Sequence, residues 1–223
     1  MDPSKASIFK TYDKPKQGGV SSFATFMIIG PTCFFLGMLF SSFPYDYPLL
    51  WTSAATPIEY YAQLETHLKF LHASPPVIPR ILHIIIAVGF MGLFIKLFKP
   101  TEANLLFDGA SLVLYLVGVV VYITNIVKGL RMVTADAYGN PGEAGPGEII
   151  IGREDSLRVL AASNTILALV LVGVLVLQAG QWYAERKEQD EVAEFEKEKE
   201  EKNAAKKEKN GGHMTRSASK KKQ

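Results

Sequence analysis

Val159-Leu-Ala-Ala-Ser-Asn-Thr-Ile-Leu-Ala-Leu-Val-Leu-Val-Gly-Val-Leu-Val-Leu-Gln-Ala179 runs for 21 residues without a charged side chain. A helix rising 1.5 Å per residue crosses a hydrocarbon layer of roughly 30 Å in about 20 residues. Three more apolar runs of that length lie at about 23–43, 79–98 and 107–126. A soluble domain has no need of four such stretches. The chain therefore reads as an all-α membrane protein with four transmembrane helices.

The average composition, 48% apolar and 21% charged, hides this division. Residues 180–223 hold 12 of the 24 Lys and Arg and 10 of the 22 Asp and Glu. Three regions follow: a polar lead over 1–22, a four-span membrane domain over 23–183 and a charged tail over 184–223. The first run is longer than the 7–15 residues of a signal-peptide core, and no small-x-small site follows Phe43, so an uncleaved span is expected. Span two is bracketed by Arg80 and Lys96, whose stems are expected to reach the headgroups. Asp108 stands at the mouth of span three, and the short link 99–106 makes spans two and three an antiparallel hairpin. Trp182 and Tyr183 follow span four where an aromatic belt would lie.

Lys and Arg divide six against six between the two sides of the membrane. The basic residues at the start of the tail and the four lysines ahead of span one break the tie. Both termini are accordingly expected in the cytosol, with loops 44–78 and 127–158 in a lumen or outside the cell. In the first loop, Thr56-Pro-Ile-Glu59 resembles a capping box, and Ile58, Tyr61, Leu64, Leu68 and Leu71 then recur near a 3.6-residue period. These predict a short amphipathic helix to about His72, resting as a lid on the bundle or the membrane. The segment Pro44-Tyr45-Asp46-Tyr47 is expected to end span one in a fixed turn, since proline disfavours helix at the residue before it. Tyr138 to Gly147, rich in glycine and proline, reads as a mobile connector.

Chemistry-bearing groups are few. Cys33 is the single cysteine, the four histidines make no ligand pair at helical spacing, and neither a metal nor another cofactor is expected. No nucleophile stands at a recognisable spacing from a base, so catalysis is not expected. A net charge of +2 gives no reason to expect nucleic acid. Asn125, Asn164 and Gln178 are amides within spans, and amides in hydrocarbon seek partners across helices. Gly89 with Gly92, and Ala161, Thr165 and Ala168, allow close approach. These positions suit packing inside the bundle or contact with another membrane protein's helices. Lys220 and Lys221 lie four and three residues from the end, as in a dilysine retrieval address.

Gly30-Pro-Thr-Cys-Phe-Phe-Leu-Gly-Met-Leu-Phe40 running into Pro44-Tyr-Asp-Tyr-Pro-Leu-Leu50 resembles the fungal secretory-component family, as do Ala110 to Asn125 and Ala161 to Tyr183. The resemblance covers roughly residues 23–183. It implies a packaging chaperone of the endoplasmic reticulum membrane that keeps amino acid permeases from aggregating and presents them to the COPII coat through its cytosolic tail. Pro44, Tyr45, Asp46, Tyr47, Asn125, Asn164 and Gln178 are then the candidate client contacts. The lead and the loop at 137–150 are longer than the family pattern and have no assigned role. A small transporter or channel accessory subunit is the rival from another class, and it should line a polar path. A cell-surface four-span scaffold would need disulfides that one cysteine cannot form.

Overall fold

The computed structural model describes residues 19–52, 56–98, 102–139 and 151–219, with side chains described over 23–52, 56–98, 105–139 and 151–204. Among these residues every regular element is a helix. They are α1 (Gly19–Leu50), α2 (Ile58–His72), α3 (Val77–Leu97), α4 (Glu102–Val121), a π-helical segment (Tyr122–Val127), α5 (Lys128–Thr134) and α6 (Arg153–Ser219). Four stretches are long and apolar enough to cross a membrane: Phe23–Leu50, Val77–Leu97, Leu105–Thr134 and Arg153–Ala204. By its internal contacts the chain divides into two compact units, Met1–Gln178 and Ala179–Gln223.

In the first unit the spans alternate in direction. α1 packs along α3. The reason lies in two glycines of α3. A Cβ on Gly92 would stand 2.9 Å from the Ala24 carbonyl and from the Met27 Cβ, and one on Gly89 would collide with the Tyr115 hydroxyl. The two glycines thus serve the protein's own bundle, bringing α1 and α4 onto α3. α4 and α6 run antiparallel in a steady register, with Gly118 against Leu167 and Val170, Gly173 against Leu114, and Gly129 against Leu160. Ile28, Phe35, Leu93, Tyr115, Tyr122, Leu167, Leu171 and Val174 fill the centre. A second core of Leu49, Tyr61, Leu64, Val133, Leu157 and Ala161 lies beneath α2. The two cores divide the unit into a bundle and a cap.

Span one does not end at Phe43. α1 continues through Pro44 and Pro48 to Leu50, so the expected turn at Pro44–Tyr47 is a helix instead. Each proline removes one backbone donor, a loss that spans tolerate where neighbours supply other partners. The amides missing at Pro44 and Pro48 would have met the Phe40 and Pro44 carbonyls; the cap bonds two other carbonyls of the same stretch, the Thr56 hydroxyl donating to that of Pro48 at 3.3 Å and the Tyr60 hydroxyl to that of Tyr45 at 2.7 Å. The capping box is corrected by the same contact. Pro57 occupies the N-cap of α2, with no side-chain cap, because Thr56 is turned back to the end of α1. Span three also runs on, through the π segment to Thr134.

In the second unit α6 is helical as far as Ser219. Lys202 reaches Glu198 at 2.9 Å, the i to i+4 contact that charged helices use. Arg186 lies over the Trp182 ring at 5.4 Å. The expected retrieval lysines Lys220 and Lys221, the first 18 residues and most of the 138–147 connector lie outside the described residues.

Candidate functional site

Two polar layers cross the bundle. At the hairpin end, Lys96 of α3 and Asp108 of α4 form an ion pair at 3.1 Å with side chains 5% and 0% exposed. Gln178 of α6 closes the group: its Oε1 accepts from Lys96 Nζ at 2.8 Å, and its Nε2 donates to Asp108 at 3.2 Å and to Ser111 at 3.0 Å. Lys96 therefore does not reach up to the headgroups, as expected above. A charge buried in an apolar layer is tolerated when paired and hydrogen-bonded, and Asp108 supplies a partner that solvent would otherwise have to replace. Arg80, by contrast, is exposed.

At the cap end, Asn164 Nδ2 donates to Asp46 Oδ2 at 2.9 Å. The uninterrupted α1 makes this contact possible by carrying Asp46 one turn beyond Ser42 and into the bundle. Tyr45 stacks on His67 with ring centroids 4.1 Å apart, whereas Phe43, Tyr47 and Trp51 form a partly exposed aromatic face along α1. Of the Pro44–Tyr47 segment, Asp46 and Tyr45 thus bind the protein's own elements and Tyr47 faces outward.

α2 is held by a charged network centred on Glu65. Arg153 Nε and Nη2 donate to Glu65 Oε2 at 3.0 and 2.5 Å, and the Tyr138 hydroxyl donates to Oε1 at 2.8 Å. Lys69 donates to Asp136 at 2.6 Å. Asp136 has a positive φ of 51° and ends α5 in a Schellman motif, its amide bonding the Val133 carbonyl and that of Ala137 the Met132 carbonyl. Hydrogen bonding to Lys69 holds the Asp136 carboxyl below the usual carboxylate range, and the same bond raises Lys69. Burial, with the Glu65 bond, pushes the Tyr138 hydroxyl up. Arg158 adds a bond to the Tyr61 hydroxyl at 2.8 Å. The amphipathic helix is thus a lid fixed to the bundle, with Tyr61 and Leu64 buried beneath it, while Ile58 and Leu71 at its ends stay exposed.

The three amides have different fates. Gln178 and Asn164 are bonded inside the bundle, whereas Asn125, in the π segment, is exposed. No group of three or more His, Cys, Asp and Glu arranged to hold a metal occurs among the described residues. The small, partly open pocket lined by Phe35, Ile86, Tyr115, Gly118, Val119, Tyr122, Leu167 and Leu171 is about 20 Å³, room for about one water. On α3, Ala87, Phe90, Met91, Phe94, Ile95 and Phe98 line a shallow, open and apolar groove. Glu65, Arg153 and the Lys96–Asp108 pair were not among the expected site residues. For the pair a signal exists in the sequence, because Lys96 and Asp108 are opposite charges carried by the two arms of one short antiparallel hairpin.

Comparison with known proteins adds a family and a relative. The family model described as SHR3 chaperone, ER membrane protein SH3, matches residues 19–217. Secretory component protein psh3 of Schizosaccharomyces pombe is 25% identical over 199 residues, which cover 88% of this chain and 86% of that protein. No solved structure matches.

Proposed function

The chain belongs to the SHR3 chaperone family of endoplasmic reticulum membrane proteins, and from that premise we propose that its clients are amino acid permeases, held from aggregation after insertion and passed to the COPII coat. It is a multi-pass protein of the endoplasmic reticulum membrane. Membership of a chaperone family implies client membrane proteins and a role other than catalysis.

The observation that carries the reading is the way the bundle uses its polar groups. Lys96, Asp108, Ser111 and Gln178 bond to one another, as do Asp46 and Asn164. A transporter needs polar groups left open to its cargo along a path, while a helix-holding chaperone needs a firm body with apolar outer faces. Phe40, Phe94 and Val120 are among the large apolar side chains exposed on the spans. A membrane protein with unpaired helices meets these faces in the plane of the bilayer. The name of the Schizosaccharomyces pombe relative, a secretory component protein, agrees with a role in export.

In this reading both termini are cytosolic, the α2 cap is lumenal, and the charged tail after about residue 184 carries the contact with the coat. Lys220 and Lys221 return the protein to the endoplasmic reticulum. The test is a pull-down in mild detergent from cells expressing the chain beside an epitope-tagged permease. Co-purification of the permease is expected, and recovery of none refutes the assignment. A chain truncated after Glu185 should still keep the permease soluble while its export fails; aggregation of the permease with the truncated chain would place the holding surface partly in the tail. Protease added to intact microsomes should remove an epitope from either end, and a protected C-terminal epitope would overturn the topology.

A further inference from the structure

We propose that the outward face of span three around Asn125 receives a membrane-spanning helix of the client, one that carries a hydrogen-bond acceptor level with that amide. This inference rests on the chaperone reading above and assigns it a surface.

The argument begins with depth. Gln178 bonds Ser111 across the α4–α6 contact, and Gly129 lies against Leu160 further along the same antiparallel pair. In that register Asn125 is level with Asn164, and 14 residues of helix put both about 21 Å from the Gln178 layer. Two layers that far apart fit within a hydrocarbon thickness of roughly 30 Å. Asn125 therefore presents its amide at or just inside the edge of the apolar layer.

At that depth Asn164 has Asp46, but Asn125 has no such partner. The contact that its side chain makes among the described residues is with the neighbouring Thr124 hydroxyl, at 3.3 Å, and since that hydroxyl gives its hydrogen to the Val120 carbonyl at 2.7 Å, the Asn125 amide is left with at least one N–H that has no acceptor. Lipid tails supply none, and an unmet polar group in hydrocarbon is expensive. The local backbone contributes to the exposure. Tyr122–Val127 is π-helical, with a wider turn than an α-helix, and it holds the Tyr122 ring in the core against Phe35 while Asn125 is turned outward.

The surface beside the amide has the form of a helix-packing stripe. Val113, Val117 and Val120 are exposed apolar side chains, and Thr124 continues them at spacings of four, three and four residues. That spacing puts them on one helix face, the seam of a left-handed crossing of about 20°. All four are β-branched, so they lose little rotamer freedom when covered. An apolar stripe ending in a free amide donor fits a spanning helix with a carboxylate, hydroxyl or amide oxygen near one end. Fully apolar helices leave the amide unmet and are selected against.

The experiment uses the full chain in endoplasmic reticulum membranes with an epitope-tagged amino acid permease as the probe. A photo-crosslinking benzophenone side chain is placed at Val117, at Val120 or, as a control on another exposed face, at Val176. Permease adducts are expected from Val117 and Val120 in excess of Val176. Asn125→Leu should lower permease recovery about three- to fifteen-fold at unchanged abundance, the range for a hydrogen bond between spans. Asn125→Gln, which keeps the amide, should retain it. Adducts with a second copy of this chain alone, or with lipid alone, overturn the proposal, as does full permease recovery with Asn125→Leu. Recovery of permease by the unaltered chain without adducts at Val117 or Val120 overturns this surface and leaves the chaperone reading standing. Failure of the unaltered chain to recover permease at all refutes that reading.

Discussion

Replacing Lys96 with methionine keeps much of the side-chain volume and removes the charge. Asp108, with no exposed side-chain surface, then keeps a carboxylate facing Gln178 Nε2 and loses the ammonium at 3.1 Å. Removing one partner of a buried ion pair typically costs about 3–5 kcal/mol, because the remaining charge stays buried without its counter-ion. For a chain of this length each kcal/mol lowers the melting temperature by roughly 2–4 °C, so a fall of about 6–20 °C is expected. The paired change Lys96→Met with Asp108→Leu removes both charges and should restore most of the loss. Gln178 would then keep Ser111 for its Nε2 but have no Lys96 for its Oε1, leaving a residual cost of about 1–3 kcal/mol for the unmet oxygen. Adding Gln178→Leu should recover part of that residue. The assay is thermal unfolding of the purified full chain in mild detergent, with abundance in membranes measured in parallel. A melting temperature for Lys96→Met within about 2 °C of the unaltered protein, or a double variant no more stable than the single one, refutes the reasoning.

Asn164→Leu should destabilise the fold more than Asp46→Asn, because the first leaves a buried carboxylate without its donor while the second keeps an oxygen for Asn164; equal losses on the same melts would show that the pair does not act as a unit. Asp46→Ala should lower protein abundance together with permease export, as a packing role requires, whereas normal abundance with retained permease would make Asp46 a contact site. Gly89→Ala puts a methyl into the Tyr115 hydroxyl and should cost about 1–3 kcal/mol, with Gly89→Ala in a Tyr115→Phe background milder; an unchanged melting temperature would refute the close approach of α3 and α4. The Lys69–Asp136 contact should be insensitive to pH between about 5 and 9. Asp136 has a lowered value, so its contribution is present above the ordinary carboxylate range and is lost as pH falls through the folded value. Lys69 has a raised value, so its contribution is present below the ordinary ammonium range and is lost as pH rises through the folded value. Protection from hydrogen exchange at Ala135–Ala137, taken relative to the intrinsic rate at each pH, reads both limits, and a fall in protection between pH 6 and 8 would contradict the assignment.

The number of spans, their order and the amphipathic α2 were legible in the sequence because they depend on local properties. Apolar length selects a span, and a 3.6-residue period selects a surface helix, whatever lies opposite. The close packing at Gly89 and Gly92 was legible as a property, though the partners Tyr115 and Ala24 were not. The fate of each polar group was decided by tertiary structure. Pro44 marks a helix end by local preference, yet α1 passes through it into a stretch whose carbonyls and carboxylate are bound by Thr56, Tyr60 and Asn164 from elsewhere in the chain. Asp46 and Asn164 are 118 residues apart, a separation at which no periodicity couples them. Asn125, Asn164 and Gln178 look alike as amides in apolar runs, and which of them faces out follows from the rotation of each helix against its neighbours. That rotation is set by glycine contacts, by Tyr122 and by the π segment, all of which act through packing between elements distant in the chain. Sequence thus determined that polar groups lie in the membrane, and tertiary packing determined which of them are closed within the bundle and which face outward.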